Sequence, residues 1–271
     1  MMKYICVTCG VQYSPNEKEP EKCMICDEAR QYVNLAGQRW TTLENMKQSR
    51  KYENRIEKIS DNIYKITTEP AFAIGQAAYF VVGKEHNVLW DSITYLDDKT
   101  IQFIIQHGGI DFIAISHPHY YSSIIEWSKK FGATIYIHQA DEKWIVHHNE
   151  YINLWQGESL RLDEQFTLHC LGGHFKGAAI LHAEIDKGIV FSGDVIQIAA
   201  DRNWVSFMYS YPNMIPLPIS IVDRIRKNVN EMEFNVLYSA LHKKVEPDAK
   251  KKVILSADRY IKALNGELFD T

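Results

Sequence analysis

The chain has 271 residues, 46% of them hydrophobic and 24% charged, with 14 glycines and 8 prolines. That balance excludes disorder for the bulk of it and leaves room for one large domain, or for an ordinary one with a small appendage. A net charge of -4 and a pI near 6.3 give no general attraction to nucleic acid, so no nucleic-acid partner is expected. No apolar run reaches the roughly 18 residues of a membrane span, and MMKYICVTCG lacks a signal peptide's apolar core, so the expectation is a cytoplasmic protein with no membrane partner.

Residues 1–40 lack apolar periodicity, carry the turn formers Ser14, Pro15, Asn16 and Pro20, and cannot build a core of their own. They contain four of the five cysteines, Cys6, Cys9, Cys23 and Cys26, in the spacing C-x2-C-x13-C-x2-C, while Cys170 stands apart. In a chain without a secretion signal such pairs read as metal ligands rather than disulfides, and four thiolates meet the tetrahedral preference of zinc. Metal would then supply the folding free energy of a segment this small. Residues 41–60 are charged and polar, with Leu43 and Met46 at a helical interval, and read as a linker helix. The main domain is expected over 61–271.

Within it, IYKIT, AAYFVV and NVLWDS read as strands. TYLDDKTIQFIIQHGG changes to helical period and stops at Gly108-Gly109, and IDFIAIS is a buried strand. A helix over roughly Ser122–Phe131, closed by Gly132, leads into the strand ATIYIH, which makes a strand-helix-strand unit with a parallel-sheet implication. A further helix is expected over Asp141–His148. SLRL, FTLHCL, AAILHAEI and GIVFSGD form a run of antiparallel strands, Pro216–Asn230 is helical, NVLYSAL is a strand, and VILSADRYIKAL is a closing amphipathic helix. The fold class is α/β (α+β), two sheets face to face with helices outside, an αββα sandwich. No internal repeat or low-complexity tract is present.

His117-Pro118-His119 falls where a strand gives way to a loop, and alternate residues of extended chain face the same way, so the pair can present two imidazoles to one cation. His174 follows paired glycines in LHCLGGHF, Asp194 closes GIVFSGD, and His242 closes LYSALH. This order of motifs resembles the metallo-β-lactamase superfamily from Ile63 to the C-terminus, whose pattern is HxHxDH, a GH turn, an SGD-type aspartate and a last histidine. The resemblance implies that His117, His119 and His174 hold one metal, that Asp194 bridges, and that His242 belongs with a second metal. Where the superfamily has Asp and His after HxHx, this chain has Tyr121 and Ser122. One metal position is therefore complete and the other impaired.

Three imidazoles and a carboxylate suit zinc and also accept iron or manganese. A zinc ion lowers the pKa of its bound water to about 7, so hydrolysis on one metal is a workable chemistry. Asp194 is the leading candidate for the proton-handling role of the lost aspartate, with Tyr121 as a substitute and Tyr120 and His148 behind it. His242 is a ligand, a donor behind the ligands, or a substrate contact. In the long aromatic loop after Asp194, Trp204, Phe207, Tyr209 and Tyr211 wall a pocket with Arg202 for an anionic substrate group, or else fill the space under the loop. The remaining histidines are read as structural or surface residues, His182 as a satisfied buried imidazole.

The cysteine segment resembles zinc ribbons and, through YICVTCG, the rubredoxin group. Asp27 stands where that group has glycine after its last cysteine, which favours zinc over redox iron. The ribbon could cap the site, form a homodimer contact or dock a partner. The leading functional reading is a metal-dependent hydrolase acting on an ester, thioester or amide-like carbonyl of a small-molecule substrate. Two alternatives stand beside it: a mononuclear non-haem iron oxidoreductase resembling the persulfide dioxygenases, and a catalytically degenerate metal-binding interaction protein. The nuclease branch of the superfamily is set aside, because this chain lacks its insertion and the full aspartate-containing motif.

Overall fold

In the computed structural model, which describes residues 1–270, the chain divides into two units, Met1–Trp155 and Gln156 onward. The boundary falls inside the segment 61–271.

In the first unit, β1 (Ile5–Cys6) pairs antiparallel with β2 (Trp40–Thr41), and α1 (Leu43–Ser49) follows directly. Thr42 caps α1 by accepting from the Asn45 amide, and Arg50 ends it in the left-handed region. Met46 on this helix and Ile5 on β1 are buried with Phe72 and Tyr95, so the cysteine segment leans on the unit's core instead of forming its own.

Seven strands then pair in chain order: β3 (Glu53–Ser60), β4 (Ile63–Glu69), β5 (Ala78–Val81), β6 (Val88–Trp90), β7 (Phe112–Ala114), β8 (Thr134–His138) and β9 (Ile152–Trp155). The pairs from β3 to β6 are antiparallel and those from β6 to β9 parallel. The crossovers carry α2 (Asp98–Gln106) and α3 (Ile124–Phe131), as the strand-helix-strand pattern requires. Asp97 caps α2 through the Thr100 amide, and the expected glycine stop is in place, with Gly108 and Gly109 both at positive φ.

Two sequence expectations are corrected here. Residues 53–60, expected as linker, form the edge strand β3. Its charges disguise it: Glu57 lies directly opposite Lys65 and pairs with it at 2.8 Å, and Arg55 reaches Glu69 at 3.4 Å. Charged edges of this kind discourage pairing with other chains. The helix expected over 141–148 is instead a 3-10 turn, Gln139–Trp144, begun by the Ala140 amide bonding His138 Nδ1 and ended by an extended Ile145.

In the second unit, β10 (Ser159–Arg161), β11 (Phe166–Cys170), β12 (Ala179–Ala183) and β13 (Ile189–Phe191) form the expected antiparallel run. The aromatic segment after it folds into two small ribbons, β14 (Gln197–Ile198) with β15 (Val205–Ser206), and β16 (Met208–Ser210) with β17 (Ile215–Pro216). After α4 (Ile219–Asn230), β18 (Val236–Tyr238) joins β13 in parallel and β19 (Lys244–Val245) closes the edge. The last helix, α5 (Ala249–Leu264), buries Ala249, Val253, Ser256 and Ala257, a stripe at helical spacing. Among the described residues no helix is long and apolar enough to cross a membrane.

Candidate metal centres

Each cysteine pair is bent by a tight turn, in which the Gly10 amide donates to the Cys6 carbonyl and the Asp27 amide to the Cys23 carbonyl, both at 2.8 Å. The four sulfurs lie within 4.8 Å of one another, with Cys6 Sγ 3.6 Å from Cys26 Sγ and Cys9 Sγ 3.7 Å from Cys23 Sγ. Sulfurs bound tetrahedrally at about 2.3 Å from zinc stand about 3.8 Å apart, so the residues fit that ion closely. Gln38 bridges the two pairs, its Oε1 accepting from the Cys23 amide and its Nε2 donating to Cys6 Sγ at 3.4 Å. Hydrogen bonds from Cys23, Cys26 and Cys9 hold the Cys6 thiol far below the ordinary range, while burial pushes the Cys9 thiol up. A divalent cation removes that conflict by taking all four as thiolates.

The first histidine segment leaves β7 through Ser116, whose amide donates to Asp91 Oδ1 at 2.8 Å. Ser116 Oγ and His117 Nδ1 share a 2.8 Å hydrogen bond, which holds the ring by its Nδ1 side. A 3-10 turn, Pro118–Tyr120, carries His119 to within 5.0 Å of the His117 ring, centroid to centroid. Both imidazoles are buried. Sequence reasoning missed Ser116, although its place immediately before HxH was a usable signal.

In the second unit, Gly172 and Gly173 lie at φ +64° and +89°. A Cβ at Gly172 would stand 2.5 Å from Arg224 Nη2, and one at Gly173 2.8 Å from Leu217 Cδ1. The left-handed turn is what calls for the paired glycines, since the Arg224 and Leu217 side chains could swing aside. His174 Nδ1 donates to the Tyr209 carbonyl at 3.0 Å and more weakly to that of Met208 at 3.3 Å. A carbonyl can only accept, so the tautomer is set and Nε2 keeps the lone pair a metal needs. The Tyr211 ring lies 5.6 Å from that of His174, and its hydroxyl donates to the Asp194 carbonyl at 3.0 Å. Burial, reinforced by Asp194, pushes this hydroxyl well above the ordinary tyrosine range.

Within the first unit the buried His117 and His119 rings stand together, and within the second His174 and Asp194 are linked through Tyr211. This donor set fits zinc, iron or manganese. His242 is outside the group, exposed at φ +64° on the turn between β18 and β19. Tyr121 is buried, its hydroxyl 3.4 Å from the Asp141 carbonyl, and burial first and Asp141 second push its pKa well up. Ser122 Oγ donates to the Ser92 carbonyl and accepts from Gln76 Nε2. The aromatic loop splits: Tyr209 and Tyr211 attend His174, whereas Trp204 lies under Arg259 at 4.2 Å and Phe207 packs edge-on to Tyr260. Arg202 is exposed on a turn, and His182 is satisfied through the Glu233 carbonyl at 2.9 Å but only half-buried.

No family model matches the chain. The uncharacterized protein YmaE of Bacillus subtilis (strain 168) is 51% identical over 274 residues, covering 100% of both chains. Among solved structures, the metallo-β-lactamase FIM-1 from Pseudomonas aeruginosa in its mono-zinc form matches 77% of this chain and 96% of its own, with a TM-score of 0.56 at 13% identity. The metallo-β-lactamase from Pontibacter korlensis matches 76% of this chain and 99% of its own, with a TM-score of 0.56 at 11% identity. The chain belongs to the family of YmaE, and its fold is that of the metallo-β-lactamases.

Proposed function

We propose that this protein is a metal-dependent hydrolase with one metal at His117, His119, His174 and Asp194, acting on an ester, thioester or amide-like carbonyl of a small molecule. The buried pair His117 and His119, with His174 held by the Tyr209 carbonyl so that its Nε2 keeps a lone pair, carries the reading. A metal held there supplies Lewis acidity and brings the pKa of a water it binds towards neutrality. Ser116 and the Tyr209 carbonyl orient His117 and His174 for that task. With a metal held there, the Asp194 carboxylate would be the group that takes up a proton from the nucleophile. Tyr209 and Tyr211 flank His174. A single metal is favoured by Tyr121 and Ser122: their hydroxyls bond backbone carbonyls where the superfamily pattern has an aspartate and a histidine. Zinc is assigned to the four cysteines on the sulfur spacing.

Elemental analysis of the purified chain tests this. The wild type is expected to hold two metals, His174→Ala to lose one together with hydrolysis of p-nitrophenyl ester and thioester probes, and Cys9→Ala to lose the other. A wild type holding only the cysteine metal would overturn the reading. So would iron at the histidines with sulfur-dependent oxygen uptake.

A further inference from the structure

The residue after the second cysteine opens a strap that ties the ribbon to the first histidine segment. Gly10 lies at φ +83°, and a Cβ there would stand 2.3 Å from Thr94 Oγ1, so this backbone is pressed against the loop that follows β6. Thr94 Oγ1 donates to the Gly10 carbonyl at 2.9 Å, and the Gln12 amide donates to the Ser122 carbonyl at 2.9 Å. Ser14 bonds the Val146 carbonyl through both its amide, at 3.2 Å, and its hydroxyl, at 3.3 Å. Lys3 closes the strap's other side on Glu126 of α3 at 2.6 Å. Between the strap and the stretch around Tyr121–Ile125 and Ile145–His147, a cavity of only about 10 Å³ remains, too small to let the strap shift freely.

The far side of this contact leads to the histidines without a break. The Ser123 hydroxyl donates to the Thr94 carbonyl at 2.7 Å, so Thr94 holds Gly10 with one group and Ser123 with the other. The Tyr120 amide bonds the His117 carbonyl, that of Tyr121 bonds Pro118, and that of Ile124 bonds Tyr121. Ser122, a residue with a Cβ, is held at φ +44° in this run. Such a conformation is strained and persists only while its surroundings over-determine it.

We propose that the ribbon is a positioning and metal-sensing element: a thiophilic divalent cation at Cys6, Cys9, Cys23 and Cys26 fixes Gly10–Ser14, which fixes the turn from His117 to Ser122 and so sets the metal affinity of the histidine centre. The second half of this statement rests on the proposed metal at the histidines; the coupling of ribbon to turn does not. Without its cation the ribbon has too little core to stay ordered. The Gln12 and Thr94 bonds then lapse, and the strained Ser122 relaxes. Outer groups that orient metal-binding histidines typically change affinity by about 10- to 100-fold, and that is the expected fall.

The test uses the full chain, with cobalt titration at the histidine centre and amide hydrogen exchange of residues 117–125. Substituting Cys23→Ala and Cys26→Ala together removes the ribbon metal far from the histidines. Exchange of 117–125 should then quicken at least tenfold and cobalt affinity fall by about 10- to 100-fold, with α5 still protected. Thr94→Val keeps every cysteine and removes only the bond to Gly10; it should retain the ribbon metal and weaken cobalt binding about fivefold, the worth of one hydrogen bond. It also decides the matter if the double variant fails to fold. Wild-type exchange and affinity in the folded variants would overturn the proposal. If the wild type binds no cobalt at the histidines while exchange of 117–125 still follows ribbon loading, the hydrolase reading fails and the coupling stands.

Discussion

The two centres differ in how their ligands are brought together. The cysteines come from one stretch, Cys6 to Cys26, bent by turns within each pair and supported by few buried side chains. The candidate ligands of the second centre come from strand ends and turns spread between His117 and Asp194, and two of its three rings are pinned by neighbours: His117 by Ser116, His174 by the Tyr209 carbonyl. On the proposed reading, metal at the cysteines would contribute to the folding of a small segment, and metal at the histidines to chemistry.

The strongest way to break this contrast is to strip the metals with a chelator. Structural zinc contributes on the order of 10 kcal/mol to small domains. Full removal should thus open residues 1–40 to trypsin after Arg30, whose side chain is now largely buried against Glu28 at 2.6 Å, while α5 stays resistant. A ribbon equally resistant with and without metal would erase the distinction. A smaller effect is expected at the preformed centre. Gly173→Ala places a Cβ 2.8 Å from Leu217 at φ +89°, which should lower stability by about 1 to 3 kcal/mol in urea unfolding. A neutral result would mean that the His174 turn is not set by packing.

The smallest effect compares the two units through pH. Burial first, then Lys3, depresses His147 to about 4, and burial, then His182, depresses His169 to about 4. Both are neutral when folded, whereas an unfolded histidine titrates near 6.5. As pH falls from about 6.5 to about 4, the unfolded chain gains protons that the folded one does not, so stability present above that window is lost through it. With discount for solvent screening this is about 1 kcal/mol for each histidine. His147→Asn should remove one proton's worth of slope from stability against pH and leave the His169 share; an unchanged slope would refute the assignment.

Much of the site was legible because its signals are local. Cysteine spacing needs only short turns, and the pairs Cys6/Cys9 and Cys23/Cys26 are grouped in the structure. The order of HxH, GH and SGD followed apolar runs that did become strands β7, β11 and β13. The crossovers through α2 and α3 were legible for the same reason, since a change of period between two strands leaves a parallel pairing as the short solution.

What the sequence left open depends on partners far along the chain. β3 looks like a charged linker until Lys65 and Glu69 stand opposite its charges. His242 follows a strand as the candidate ligands do, yet the turn into β19 leaves it exposed. The tautomer of His174 depends on the backbone carbonyl of Tyr209, which carries no side-chain signature. The sequence by itself determined which side chains are available and the order in which strands present them, because those follow from period, turn chemistry and ligand type. Only the tertiary structure decided which nitrogen His174 keeps for a metal and which candidates stay exposed, because these are set by strand register and by hydrogen bonds between residues distant along the chain.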